Sequence, residues 1–147
     1  MQLRNWQQKI IDTFPLIIKQ NRRFILKAPT GAGKTVLASE IIERFYKKKK
    51  VVILCHRIVL LEQLEKALCK KHSVRKLSIS DKGQAFNGYD VLISTNMRAK
   101  SILEKAILQA DLIIIDEAHR VSPNGQVYKW FLDDFDKRGK VTAKLMG

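Results

Sequence analysis

Two patterns of apolar residues alternate along the chain. In one, apolar residues follow each other almost without a break over four or five positions, which is typical of strands buried on both faces of a parallel sheet. In the other, they recur every three or four positions, which is typical of a helix with one buried face. The continuous runs predict four strands: Phe24–Ala28, Val51–Cys55, Val91–Ser94 and Leu112–Ile115. Weaker strand candidates lie at 74–79 and 142–146.

Helical spacing predicts an opening helix and further helices between the strands. Trp6, Ile10 and Phe14 fall on one face of the opening helix, and Pro15 is expected to end or kink it because proline has no amide hydrogen to donate. Strand and helix alternate from residue 24 onward, which predicts an α/β fold with a parallel sheet and helices on both faces. The later helices are predicted at 37–45, 60–68, 102–109 and 127–135.

The order of the elements also predicts where a ligand would bind. In parallel sheets of this kind, ligands lie beyond the carboxyl ends of the strands. The candidate chemistry should therefore be found in the loops that follow Ala28, Cys55, Ser94 and Ile115. These four places contain the most distinctive residues of the chain.

The composition excludes several classes of protein. Apolar residues make up 46% of the 147 residues, enough for a buried core, which excludes a disordered basic tail. No apolar run approaches the ~18 residues that a membrane span needs, and the first fifteen residues carry charges and amides where a signal peptide would be apolar. Cys55 and Cys69 have no CxxC partner and are expected to be free thiols. We therefore expect a cytoplasmic protein with no membrane partner.

The positive charge of the chain is concentrated in its first half. The net charge is +14, and residues 1–76 hold 18 basic and 5 acidic side chains. An excess of this kind attracts polyanions such as nucleic acid or nucleotide phosphates, although it also serves solubility. The four lysines Lys47–Lys50 stand between a predicted helix and a predicted strand. Such a run fits either a solvated turn or a contact with nucleic acid, and the sequence leaves both open.

A glycine-rich segment follows the first predicted strand and opens the next helix. Its glycines allow a tight turn in which backbone amides and the helix amino terminus can surround a triphosphate. Lys34 is placed to neutralise the phosphates, and the Thr35 hydroxyl is placed to bind Mg²⁺. The usual pattern begins with glycine, where this chain has Ala28. The candidate ATP-binding residues here are Pro29, Thr30, Gly31, Ala32, Gly33, Lys34 and Thr35.

Two adjacent carboxylates follow the strand predicted at Leu112–Ile115. Asp116 can hold Mg²⁺ opposite Thr35, and Glu117 can polarise the water that attacks the terminal phosphate. A pair of acids after a strand is common by itself, and it becomes informative here because the glycine-rich segment precedes it. His119 by itself would be read as a structural or surface histidine.

Together these motifs resemble motifs I and II of the superfamily 2 helicases, the DEAD/DEAH-box relatives. Gly33-Lys34-Thr35 matches motif I, and Asp116-Glu117-Ala118-His119 matches motif II. Leu3-Arg4-Asn5-Trp6-Gln7 resembles the glutamine motif of that family, in which Gln7 would read the adenine edge and Arg4 would lie beside the ring. Two further segments resemble motifs Ia and Ib, which contact a nucleic-acid backbone, and their candidate residues are His56, Arg57, Gln63, Ser94, Thr95 and Asn96.

The resemblance implies a fold, a reaction and a missing partner. Residues 1–147 would form the first RecA-like domain, a three-layer αβα unit, of an ATP-dependent helicase of the restriction-subunit and RadD-like branch, which usually acts on DNA. Lys34, Asp116, Glu117 and His119 would be catalytic, with ATP and Mg²⁺ as cofactors. The family's second RecA-like domain and its motif III are not among these residues. We therefore expect hydrolysis by the 147 residues alone to be absent or very slow.

Two other functions remain open from the sequence. The chain could be a non-catalytic module that binds nucleic acid or nucleotide on the same fold, although Lys34 and Glu117 are both intact. It could also be a small-molecule kinase with a phosphate loop. Kinases of that type need an arginine-rich lid over the substrate phosphate, and no such segment follows Asp116.

Overall fold

The computed structural model describes residues 3–20, 23–24, 33–55, 58–77, 84–95, 105–106, 109–115 and 144–146. In these residues strand and helix alternate as predicted up to residue 76, the strands at 74–76 and 91–95 follow each other with no helix in the described residues between them, and the segment at 105–106 and 109 is helical. The helix predicted at 127–135 lies outside the described residues. The elements are α1 (Asn5–Gln20), β1 (Arg23–Phe24), α2 (Lys34–Phe45), β2 (Val51–Cys55), α3 (Ile58–Leu68), β3 (Val74–Lys76), β4 (Val91–Thr95), β5 (Leu112–Ile115) and β6 (Lys144–Met146).

The six strands form one sheet in the order β1-β6-β5-β2-β4-β3. Every neighbouring pair is parallel. Val51 at the start of β2 is in register with Val91 of β4 and Leu112 of β5. Because all strands point the same way, their carboxyl ends meet at one edge of the sheet and their amino ends at the opposite edge.

The centre of the sheet is covered on both faces. Every residue of β2 and of β4 is buried, so side chains on both sides of these strands are shielded from water. The face that carries Val51, Ile53 and Cys55 packs against the apolar stripes of α1, α2 and α3. Burial on both faces explains why these strands are continuous apolar runs in the sequence.

Helix α1 continues through Pro15, which corrects the expectation that the proline would end it. Phe14 is fully buried and stacks on Phe45 of α2, with 5.0 Å between the ring centroids. Ile18, one turn after the proline, also packs against the core. Burial on both sides of Pro15 offsets the one helical hydrogen bond that proline cannot donate.

Polar contacts connect α2 to the turn that follows α3. The Glu40 carboxylate accepts a hydrogen bond from Lys71 Nζ at 3.1 Å and one from Arg44 Nε at 3.2 Å. One residue earlier on the helix, Ser39 Oγ lies 3.1 Å from His72 Nε2. The hydrogen bond from Lys71, with a smaller contribution from Arg44, lowers the pKa of Glu40 below its ordinary value, although partial burial acts in the opposite direction.

Replacement of Glu40 should make stability less dependent on pH under acidic conditions. Because the pKa of Glu40 is lower in the folded chain, its contribution is present above its ordinary value of 4.5 and is lost as the pH falls through the folded value. Glu40→Gln should therefore lower the free energy of unfolding at neutral pH by about 1 kcal/mol and reduce its fall in acid. Urea unfolding from about pH 3 to pH 7 measures this.

The matched control is Glu62→Gln, because Glu62 is an exposed carboxylate on α3 with no ion pair among the described residues. Glu62→Gln should keep the pH profile of the original chain. A Glu40→Gln profile that is indistinguishable from that control would show that the Glu40 contacts contribute nothing to folding.

Candidate nucleotide-binding site

The three strands after which motifs Ia, Ib and II are predicted end at the same edge of the sheet. Leu54 is in register with Ile115, the last residue of β5, and Cys55 is in register with Thr95, the last residue of β4. The carboxyl edge is therefore where β2, β4 and β5 end together. The chain continues from these ends into motifs Ia, Ib and II, and the predicted site residues that follow lie outside the described residues: His56, Arg57, Asn96, Asp116, Glu117 and His119.

The amino terminus of α2 is the described part of the predicted phosphate loop. Gly33 is its N-cap, with φ 84° in the left-handed region, and its carbonyl accepts a hydrogen bond from the Leu37 amide at 3.1 Å. Lys34 and Thr35 are the first two residues of the helix, and the Thr35 side chain is half-buried. The free amides and the dipole of a helix start favour an anion. Pro29, Thr30, Gly31, Ala32 and the Lys34 side chain lie outside the described structure.

Gln7 connects the start of α1 to this helix start. Its side chain is buried, and Nε2 donates a hydrogen bond to the Gly33 carbonyl at 2.9 Å. Its Oε1 accepts one from the backbone amide of Arg4 at 2.8 Å. The Arg4 carbonyl accepts from the Gln8 amide, so Arg4 is the N-cap of α1 and Gln7 is the third helical residue. Gln7 Oε1 thus makes one of the two hydrogen bonds of a capping box. Gln7 Nε2 contacts the backbone of the predicted phosphate loop at Gly33.

This double contact is the feature that the sequence prediction of Gln7 missed. The resemblance predicted an adenine-reading role, which stays a prediction, and Arg4 is an exposed residue at the start of α1. A glutamine three residues after a helix N-cap is a recognisable signal for the Arg4 contact. The contact with Gly33 spans 26 positions and has no local signal in the sequence.

Gly33 is required for two separate reasons. Its positive φ is costly for a residue with a side chain. A Cβ at this position would also lie 2.7 Å from Gln7 Nε2, closer than side-chain atoms normally approach. The Gln7 hydrogen bond therefore depends on the absence of a side chain at Gly33.

The described residues of motifs Ia and Ib differ in their accessibility. Gln63 is exposed on α3. Ser94 and Thr95 are buried, and Ser94 Oγ donates a hydrogen bond to the Thr95 carbonyl at 3.0 Å. The Ser94 hydroxyl thus supports the end of β4, while Gln63 is open to a partner. Contact of these residues with nucleic acid stays a prediction.

The described residues contain no cluster of three or more histidine, cysteine or acidic side chains that could hold a metal ion by themselves. The predicted magnesium ligands are the hydroxyl of Thr35 and the carboxylate of Asp116, and only Thr35 is described. A threonine hydroxyl beside a glycine-capped helix start is an oxygen ligand of the kind that Mg²⁺ accepts. None of the described helices is long and apolar enough to cross a membrane.

Comparison with known families finds one match over nearly the whole chain. Residues 1–142 match the family described as type III restriction enzyme, res subunit. The ATP-dependent DNA helicase Hel308 of Thermoplasma volcanium is 31% identical over 130 residues. That alignment covers 82% of this chain and 19% of the helicase, so the chain spans about a fifth of its relative's length.

Two solved structures share the fold across the chain. One is a nuclease-deletion mutant of the Type ISP restriction-modification enzyme LlaGI in complex with a DNA substrate mimic, with a TM-score of 0.71 and 22% identity, covering 99% of this chain and 17% of that one. The other is the Sulfolobus solfataricus SWI2/SNF2 ATPase core in complex with dsDNA, with a TM-score of 0.69 and 18% identity, covering 99% of this chain and 31% of that one. These similarities confirm the predicted RecA-like α/β fold.

Removal of the Gln7 amide should destabilise the chain more than removal of its neighbour. Gln7→Ala deletes two hydrogen bonds in a buried setting and should lower the free energy of unfolding by about 1–3 kcal/mol. Gln8→Ala is the matched control, because Gln8 makes one exposed hydrogen bond to Asp12. Its expected cost is within about 0.5 kcal/mol. Urea unfolding compares the two variants, and equal losses would contradict the buried role of Gln7.

The close approach of Gly33 and Gln7 should make the stability losses of substitutions at the two positions non-additive. Gly33→Ala should cost about 1–2 kcal/mol for the left-handed conformation alone, and the contact with Gln7 Nε2 adds to it. In Gln7→Ala that atom is gone, so the double variant should be more stable than the sum of the single losses predicts, by about 1 kcal/mol. A double-mutant cycle of unfolding free energies measures this coupling. Strict additivity would show that the two residues do not touch.

Proposed function

The chain belongs to the type III restriction enzyme res subunit family, with the RecA-like domain of superfamily 2 helicases, and we propose on that premise that it binds Mg-ATP as the first motor domain of a DNA-dependent ATPase. One observation carries the proposal. The start of α2, capped by Gly33 and followed by Lys34 and Thr35, is held by the Gln7 hydrogen bond. A helix start of this kind, with a lysine and a threonine at its first two positions, suits a nucleotide triphosphate.

The residues around this helix start have distinct proposed roles. The amides of Gly31–Gly33 and the Lys34 ammonium would bind the phosphates, and Thr35 would hold Mg²⁺ together with Asp116. When bound, Mg²⁺ neutralises charge on the phosphate oxygens. Pro29, Thr30 and Ala32 complete the phosphate loop.

The motif II residues would act on the water and on the rest of the motor. Glu117 would accept a proton from the attacking water. His119 would couple the site to the second RecA-like domain that the family resemblance implies. In the complete enzyme, that domain would supply an arginine to the phosphates and close on the nucleic acid. We therefore assign nucleotide binding to the residues of this chain and most of the rate of ATP hydrolysis to the complete enzyme.

DNA is the proposed nucleic acid. The related Thermoplasma volcanium protein is named a DNA helicase, and the two similar structures were solved with a DNA substrate mimic and with dsDNA. The net charge of +14 suits a phosphate backbone. His56, Arg57, Gln63 and Asn96 form the proposed track, where polar side chains suit contacts that carry no sequence information. Ser94 and Thr95 are buried and would support the end of β4 beside it.

Replacement of the phosphate-loop lysine should remove ATP affinity without unfolding the chain. Lys34→Ala deletes a charge-assisted contact, so affinity for a fluorescent ATP analogue with Mg²⁺ should fall by about tenfold to a hundredfold. Lys19→Ala is the matched control, since Lys19 is an exposed lysine on α1. Fluorescence titration measures both variants. Unchanged affinity in Lys34→Ala would contradict the proposed nucleotide site.

Hydrolysis by the 147 residues alone should be slow even with DNA present. An arginine supplied by a second domain is worth about 10³ to 10⁵ in rate for phosphoryl transfer, and we assign that arginine to the complete enzyme. A steady-state ATPase assay with and without duplex DNA should therefore give turnover well below ~1 s⁻¹. DNA-stimulated turnover at or above that rate would show that these residues hold a complete catalytic site.

A further inference from the structure

A cluster of lysines lies at the amino ends of the strands, opposite the proposed nucleotide site. We call it the amino-edge patch. Backbone hydrogen bonds hold its turns side by side: the Val51 amide donates to the Asp90 carbonyl at 3.0 Å, and the Asp90 amide to the Ser73 carbonyl at 3.2 Å. The exposed lysines of the patch are Lys47, Lys48, Lys49, Lys50, Lys70 and Lys71.

The patch is separate from the proposed track at the carboxyl edge. Strand β2 has five residues and connects the turn at Lys47–Lys50 to the loop after Cys55. A strand of that length spans about 16 Å at about 3.3 Å per residue. A partner bound at one edge therefore does not reach the other edge without passing around the sheet.

Several lysines of the patch are not neutralised. Lys47 pairs with Glu43 at 3.5 Å, and Lys71 pairs with Glu40 at 3.1 Å. The Asp111 carboxylate accepts the backbone amide of Lys50 at 2.9 Å. That hydrogen bond leaves the Lys50 ammonium unpaired, and within the part of the chain that the structure describes four lysines have no carboxylate within 4.0 Å of their ammonium groups: Lys48, Lys49, Lys50 and Lys70.

The ammonium groups form the outer layer of this edge. The Lys47 and Lys71 side chains are 67% and 51% exposed, whereas those of their partners Glu43 and Glu40 are 34% and 15% exposed. Asp90 at this edge is half-buried and Asp111 is exposed, so the described acids there are outnumbered by six exposed lysines. A large partner would therefore meet positive charge first, which selects a polyanion.

Lys48 stands where another residue would fit with less strain. The Lys49 amide donates to the Tyr46 carbonyl at 3.0 Å, which closes a four-residue turn, and Lys48 has φ 60° at the third position. Glycine or asparagine is favoured there, and a lysine costs about 1 kcal/mol or more. The strained position places an unpaired charge at the tip of the turn. Strain of this kind points to a role for the side chain outside the fold.

We propose that the amino-edge patch binds the phosphate backbone of a second segment of duplex DNA, on the far side of the sheet from the proposed track. The inference rests on the proposed function in taking DNA as the partner. Lysine ammonium groups contact phosphates without reading sequence. Sites for single strands stack successive bases on several aromatic rings. In the described residues of these turns, Tyr89 is the one exposed aromatic side chain, at 42%, while Tyr46 and Phe86 are buried.

A double substitution tests the patch without loss of the fold. Lys48→Gly with Lys49→Gln removes two charges, relieves the strained φ, and keeps Lys50 with its contacts to Asp111 and the Phe86 ring. Urea unfolding should show that this variant is at least as stable as the original chain. The matched control, Lys9→Gln with Lys19→Gln, removes two exposed lysines from α1.

Affinity for a short fluorescein-labelled DNA duplex is measured by anisotropy over a range of salt concentrations. The patch variant should bind about tenfold more weakly at low salt, and its slope of log affinity against log salt should fall by about two, because each lost phosphate contact removes about 0.9. The control variant should bind like the original chain.

Two results would overturn the inference. Unchanged duplex affinity in the patch variant would do so, and so would an equal loss in the control, which would reduce the effect to net charge. A loss of binding to phosphatidylserine vesicles with duplex binding intact would assign the patch to a membrane surface instead. Titration with the fluorescent ATP analogue distinguishes this inference from the proposed function. The patch variant should keep its affinity for the analogue. If the proposed nucleotide site is wrong, Lys34→Ala will keep that affinity too.

Discussion

The hydrogen bond from the Gln7 side chain to the Gly33 carbonyl is the contact on which the proposed nucleotide site depends. It ties α1 to the first turn of α2, and the stacking of Phe14 on Phe45 ties the same helix to the last turn of α2. Two contacts so far apart fix the position of α1 along the whole length of α2. Because Gly33 is also the N-cap of α2, the direction in which the free amides of that helix point is set by a residue of α1.

The parallel sheet gives the chain two chemically different edges. The carboxyl ends of β2, β4 and β5 lead into segments with acidic, hydroxyl and amide groups in the sequence, whereas the turns before β2 and β3 carry six exposed lysines. The strands that end together at the carboxyl edge also place the turns at 47–50 and 85–90 side by side at the amino edge. Six of the 18 basic side chains of residues 1–76 therefore lie at the amino edge.

Much of the fold could be predicted from the sequence, because strands buried on both faces are continuous apolar runs. Val51–Cys55 and Leu112–Ile115 were predicted with the bounds that the structure has, and Val91 was predicted as the first residue of β4. Of the two alternatives predicted for Pro15, an end of α1 was wrong, since the packing of Phe14 and Ile18 outweighs a local preference, and a kink stays a prediction. The partner of Gln7 and the left-handed Lys48 could not be predicted, because they depend on a distant carbonyl and on a backbone angle.

The capping role of Gln7 leaves hydrogen-bonding groups for its proposed reading of adenine, although the residue is only 3% exposed. A primary amide has two donor hydrogens and an oxygen with two lone pairs. One hydrogen is used on Gly33 and one lone pair on Arg4, which fixes the orientation of the amide and leaves one donor and one acceptor. An adenine edge that offers N7 as acceptor and the N6 amino group as donor needs one of each. A nucleotide bound in this way would meet an amide already held in place, and the side chain that positions the phosphate loop would also recognise the base.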